Sequence, residues 1–255
     1  MKHLCMLFLL LHLPFFAFTQ INESDTVFFK TKLSVSGTWQ QGNAELFIVR
    51  GKAEAFARLS KNIAFKTQNV YLYQSFFQNK ADEDIFSRNF IYFYPQKKVY
   101  PFLISFISHN FRRKIDFRYF VGAGATLKII DKPKHNLKTA LSGVYEESEF
   151  LATTFNKTQY NGKNNIQTWR ATAWLLGSHS IIDEKLIFHY ESYVQPSLEY
   201  QDNFRWQLET GLEVPLWKDL FFSTSFLYTH ENIIIEGLKT YDRLLLFGFS
   251  YQFKK

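Results

Sequence analysis

The chain has 255 residues, 19% of them aromatic, with a single cysteine and a formal net charge of +7. One cysteine excludes a disulfide framework and a cysteine-ligated metal centre. The basic residues are scattered through turns and loops and form no patch that would track a phosphate backbone, so nucleic acid is not an expected partner.

The chain opens with "MKHLCMLFLLLHLPFFAFTQ", a basic start followed by an apolar run from Leu4 to Phe18. That pattern predicts a secretory signal peptide over 1–19, cut near Thr19 or Gln20. The run is shorter than the roughly 20 apolar residues of a spanning helix, and Pro14 interrupts it. Cys5 precedes most of the run, which does not fit a lipid-attachment site. Residues 20–255 contain no Pro- or Ser-rich linker and no abrupt change of composition, and read as one domain.

Period-2 alternation between turn signals predicts twelve strands, over 31–41, 44–57, 61–75, 84–95, 99–108, 114–130, 136–147, 164–178, 184–195, 202–215, 219–230 and 240–253. Many exceed the usual soluble strand and reach the 9–11 residues that cross a bilayer at a tilt. The connections alternate in length. Those at 58–61, 95–98, 131–135, 179–184 and 216–219 are short, while those at 76–84, 110–114, 147–164, 196–203 and 230–242 are mostly longer, the first near Gly42 excepted. Outer-membrane barrels have this asymmetry, with short turns on the periplasmic side.

The segment "FRWQLETGLEVPL" (204–216) sets Phe204, Trp206, Leu208 and Leu212 on one face and Arg205, Gln207, Glu209 and Glu213 on the other. In the last strand Phe247, Phe249, Tyr251 and Phe253 share a face, opposite Gly248, Ser250 and Gln252. A soluble barrel turns such an apolar face inward and a membrane barrel turns it outward, with the same period. Three features decide for the membrane: the aromatic content of the apolar face, the small residues Gly122, Gly124, Ser142 and Gly211 on the polar face, and the aromatic final strand. The expected fold is an all-β transmembrane antiparallel up-and-down barrel of about 12 strands. Phe204, Trp206, Leu208, Leu212, Phe247, Phe249 and Tyr251 then face lipid. Phe253 is the residue expected to be read by the barrel-insertion machinery.

The polar face then lines the lumen. Arg118, Lys128, Glu191, Arg205, Glu209 and Glu213, with Lys66, Lys138 and Glu146, supply opposite charges for an internal network, because a carboxylate inside a barrel needs a partner. Barrels of eight strands are filled by side chains and those of 16–18 hold a water channel, so at twelve the contents decide.

Tyr193, Pro196, Ser197, Leu198, Asp202, Arg205, Glu209, Gly211, Leu212, Pro215, Tyr228, Asp242, Gly248, Tyr251 and Phe253 stand in segments that resemble the C-terminal half of the bacterial outer-membrane barrels of domain-of-unknown-function family 481. "YFVGAGATLKIID" and "LSGVYEESEF" resemble that family's central strands. "SGTWQQGNAE", with Gly37, Gly42 and Asn43, resembles its first hairpin. The resemblance implies an outer-membrane β-barrel and carries over no reaction and no catalytic residue.

No GxSxG, HExxH, Walker or CxxC motif is present. His189 and Glu191 share the lumenal face and read as a hydrogen-bonded pair. Glu209 and Glu213 are four apart in a strand, about 13 Å, too far for a paired-carboxylate mechanism. No catalytic, cofactor-binding or metal-ligating residue is assigned. Arg112, Arg113 and Lys114 read as a solvated outer loop. The expected function is structural, or narrow passive passage of a small solute, with outer-membrane lipid and the insertion machinery as partners. A lipid-modifying enzyme built on a Ser/His pair and a soluble periplasmic barrel binding an apolar ligand are the rival readings.

Overall fold

The computed structural model describes residues 27–182 and 185–254. The expected signal peptide, its cleavage point and Cys5 lie outside them. Twelve strands run β1 (Phe29–Gln40), β2 (Leu46–Arg58), β3 (Ile63–Phe76), β4 (Asn79–Phe93), β5 (Val99–Asn110), β6 (Ile115–Lys132), β7 (His135–Phe150), β8 (Asn165–Ile181), β9 (Leu186–Pro196), β10 (Phe204–Trp217), β11 (Leu220–Glu231) and β12 (Tyr241–Lys254). Each pairs antiparallel with the next, and β12 closes on β1 from Lys30 opposite Lys254 to Gly37 opposite Phe247. Closure leaves no edge strand with unpaired amides.

One expected loop is absent. The stretch 76–84 is almost wholly strand, and β3 returns into β4 through Phe77 and Gln78, both in the left-handed region at φ 46° and 61°. A two-residue hairpin with both central residues at positive φ is normally marked by Asn-Gly or Asp-Gly. Here it is not, and the polar "QNKADED" reads as a loop instead.

The two ends differ. At the end that holds both chain termini, turns are short, as at 59–62, 94–98, 133–134 and 218–219. At the other end the connections 151–164, 197–203 and 232–240 fold over one side of the mouth. Phe155 makes a β-bridge to Ile235, and Phe150, Phe155, Tyr160, Ile166, Ile233 and Ile235 form a buried apolar cluster above the lumen.

The outer wall carries the apolar face. Phe247, Phe249, Tyr251 and Phe253 are about half exposed, Phe204 and Leu212 somewhat less, and Trp206 stacks on Tyr228 at 4.5 Å. Leu208 lies on the same outward face. A region on β2 to β5 breaks the belt. Gly51, Ala53 and Ala55 leave it shallow there, and Asn69 donates to Thr67 (3.1 Å) and Asn89 to Ser87 (3.2 Å) along their own strands.

The interior is not uniformly charged. Phe56, Tyr92, Tyr100, Phe102, Ile104, Phe120, Val144 and Trp174 form a buried cluster against β4 to β8. Two lumenal glycines accommodate neighbouring rings. A Cβ on Gly124 would fall 2.6 Å from the Phe102 ring, and one on Gly211 would fall 2.4 Å from the His189 ring. The space at these small positions is filled from the adjacent strand.

Candidate functional site: the lumen

Inward positions of neighbouring strands face each other across the barrel, and their charges meet in pairs. At the mouth Arg112 bridges Asp82 (3.0 Å) and Asp242 (2.6 Å), and Arg113 donates to Asp242 at 2.8 Å. The arginine run of the β5–β6 turn therefore bends inward. It is not the solvated loop expected, because two carboxylates at the lumen rim are stranded without it. One step deeper, Arg118 makes a bidentate pair with Glu231 at 2.8 and 3.2 Å.

Glu146 is almost fully enclosed. It accepts from Arg170 Nε at 3.1 Å and from both terminal nitrogens of Arg205, one at 3.3 Å. Arg118 Nε stands 3.9 Å away. At mid-barrel Arg88 joins Glu191 and Gln68 and lies over the Trp174 ring at 5.0 Å. Glu209 accepts from Arg50 at 2.9 and 3.1 Å and from Lys52 at 3.5 Å. Nearest the turn end, Glu213 pairs with Lys32 and accepts from Ser250 at 3.3 Å.

These pairs divide the free space. A cavity of about 110 Å³ lies on the mouth side, with Asp84, Arg88, Arg118, Tyr193 and Arg205 in its wall. A second of about 70 Å³ lies toward the turn end, among Lys32, Arg50, Lys66, His189, Glu191 and Glu209. The Arg88–Glu191 pair joins one wall to the other.

Residues 33–253 match the family described as "Protein of unknown function, DUF481". The chain belongs to DUF481. No curated protein sequence matches it. Among solved structures, the barrel is similar to the NanC porin at 7% identity and TM-score 0.50, covering 86% of this chain and 97% of that one. It also aligns with the translocator domain of the autotransporter NalP from Neisseria meningitidis, at 13% identity, TM-score 0.48 and 90% of each chain. At such identities the likeness is one of fold.

In this DUF481 barrel, Arg118, Glu191, Arg205, Glu209 and Glu213 all point inward and are ion-paired, but to partners that alternation within a strand does not identify. Arg205 serves Glu146, whereas Glu209 is held by Arg50 and Lys52 from across the lumen. Lys128 departs from the group: it is buried at the turn end, 3.0 Å from Asp131 on its own strand. Arg50, Arg88, Arg170 and Glu231 were not singled out from the sequence. Each occupies an inward position, Glu231 directly opposite Arg205, and extending the in/out pattern to β2, β4, β8 and β11 would have found them. Ser225 lines the lower cavity while His230 stacks on Phe204 at 5.3 Å, so this serine and histidine lie on opposite faces of β11 and form no pair.

Proposed function

We propose that this DUF481 chain is an integral outer-membrane barrel, delivered through a signal peptide, that rests closed and lets small polar solutes pass slowly along its charged half. The apolar outer belt supports a lipid environment, with the short-turn end periplasmic and Phe253 as the residue read on insertion. The observation that carries the passage reading is the pair of small cavities whose walls meet at the ion-paired Arg88 and Glu191. Such side chains can exchange partners, whereas a packed aromatic core cannot move without losing contacts.

In a planar bilayer the wild-type barrel is expected to show little or no steady conductance. Glu209→Ala removes the anchor of Arg50 and Lys52 and is expected to raise it. A large wild-type conductance that Glu209→Ala leaves unchanged overturns the reading. Orientation is checked separately. Leu208→Arg puts a charge into lipid at an expected cost of about 2–4 kcal/mol, and Gln207→Arg, facing the lumen, is expected to be mild. The reverse order in urea unfolding would mean a soluble barrel.

A further inference from the structure

The register between β7 and β8 sets His135 directly opposite His179 at the short-turn end, on the outer wall. Their Nδ1 atoms are 3.3 Å apart, with the rings tilted by 38°. Two imidazole nitrogens bound about 2.05 Å from one tetrahedral ion sit about 3.3 Å from each other. The pair therefore already has the separation that a shared ion requires.

A second feature orients it. His179 Nε2 is 3.2 Å from the Tyr190 hydroxyl, and the two rings stack at 5.7 Å. With Nε2–H donating to that hydroxyl, Nδ1 of His179 is left as a bare lone pair aimed at His135. Tyr190 is seated by Gly177, where a Cβ would fall 2.2 Å from the tyrosine ring. Gly177, Tyr190 and His179 thus form the kind of supporting arrangement that fixes ring orientation at metal sites.

We propose that His135 and His179 form a binding site for a borderline divalent transition ion of the zinc, nickel and copper class, with Nδ1 of each as ligand. In the unloaded pair His135 Nδ1–H donates to His179. On binding, exposed His135 carries its proton on Nε2 instead, so both Nδ1 lone pairs reach the ion and no net proton is released. Among the described residues no group of three or more His, Cys, Asp or Glu surrounds a common point. Water completes the coordination, and the ion clips β7 to β8 at the rim.

The test uses the whole chain, purified without a polyhistidine tag, folded in detergent micelles and titrated with zinc by calorimetry. One site per chain is expected, weakened at least about ten-fold by His135→Ala or His179→Ala. Tyr190→Phe is expected to weaken it by about ten-fold, the lower range for loss of a ligand's orienting partner. Circular dichroism confirms the barrel in each variant, with His135→Gln replacing any alanine variant that fails to fold. Copper loaded at equimolar ratio should show two nitrogen ligands by electron paramagnetic resonance. No zinc binding by the wild type, unchanged binding in a folded His135 variant, or a single nitrogen on copper overturns the proposal.

Discussion

From β4 to β8 the lumen wall carries the rings of Phe102, Phe120 and Trp174, whereas an ionic network runs from Glu209, Glu213, Lys32 and Arg50 round to Glu146 and Arg170 on the mouth side. The two are buried by different physics. Rings in the first half meet ring to ring, as Phe106 does on Phe120 at 4.6 Å and an interplanar angle of 8°. Their stabilisation is non-directional and scales with area removed from water. In the second half each charge depends on a named partner, and a buried ion left alone is costly. Arg88 belongs to both, lying over Trp174 while bonded to Glu191. On the proposed passage reading, the path is expected to follow the ionic wall, where side chains can exchange partners.

Glu146→Ala sharpens that contrast most. It leaves Arg170 and Arg205 without their shared carboxylate, at side-chain exposures of 5% and 7%. The expected loss is about 3–5 kcal/mol in urea unfolding of the reconstituted barrel. A loss under about 1 kcal/mol would show that water reaches these guanidinium groups and that the ionic network is not enclosed. Phe102→Ala is the counterpart in the aromatic half. Its expected cost is about 3 kcal/mol, at the low end for a buried ring because Phe90 and Tyr92 beside it can shift into the space. Conductance separates the halves further. Glu209→Ala is expected to raise it and Phe102→Ala to leave it near the wild-type level. Equal increases would mean that both halves gate.

The outer wall and the strand count were readable in the sequence because period-2 alternation is local. In β10 one face is apolar and the other polar up to the irregularity between Pro215 and Trp217, and in β12 the outward face is aromatic while Leu244 and Leu246 interrupt the polar inner one. The aromatic half was not readable in the same way. In β5, "VYPFLISFISHN", Tyr100, Phe102, Ile104 and Phe106 point inward while Val99, Leu103 and Ile107 point outward. Both faces are apolar, so alternation carries no sign there. The ionic half was readable as a set of inward charges but not as pairs. Glu209 and Arg50 are 159 positions apart in the chain and meet only because the sheet closes. The mouth was read least well. The inward turn of Arg112 answers to Asp82 and Asp242, which no local pattern links to it.

Lys128 is where the inside and outside of the barrel meet, and it sets the smallest expected effect. Its side chain is 6% exposed, yet its partner Asp131 is 46% exposed at the turn end. Replacing it with methionine keeps an apolar stem and removes the ammonium group, which stands 5.7 Å from the Tyr100 ring centre. Asp131 then loses one partner but keeps water, unlike Glu146, so no buried charge is stranded. An ion pair with one solvated member contributes about 0–1 kcal/mol, and Lys128→Met should shift the urea midpoint by no more than that corresponds to. Arg205→Met, which keeps a similar stem but strips Glu146 of one of its guanidinium partners, should cost several times as much. If the two variants were equally destabilised, the distinction between a rim pair and an enclosed network would fail, and Lys128 would have to be counted with the lumenal charges after all.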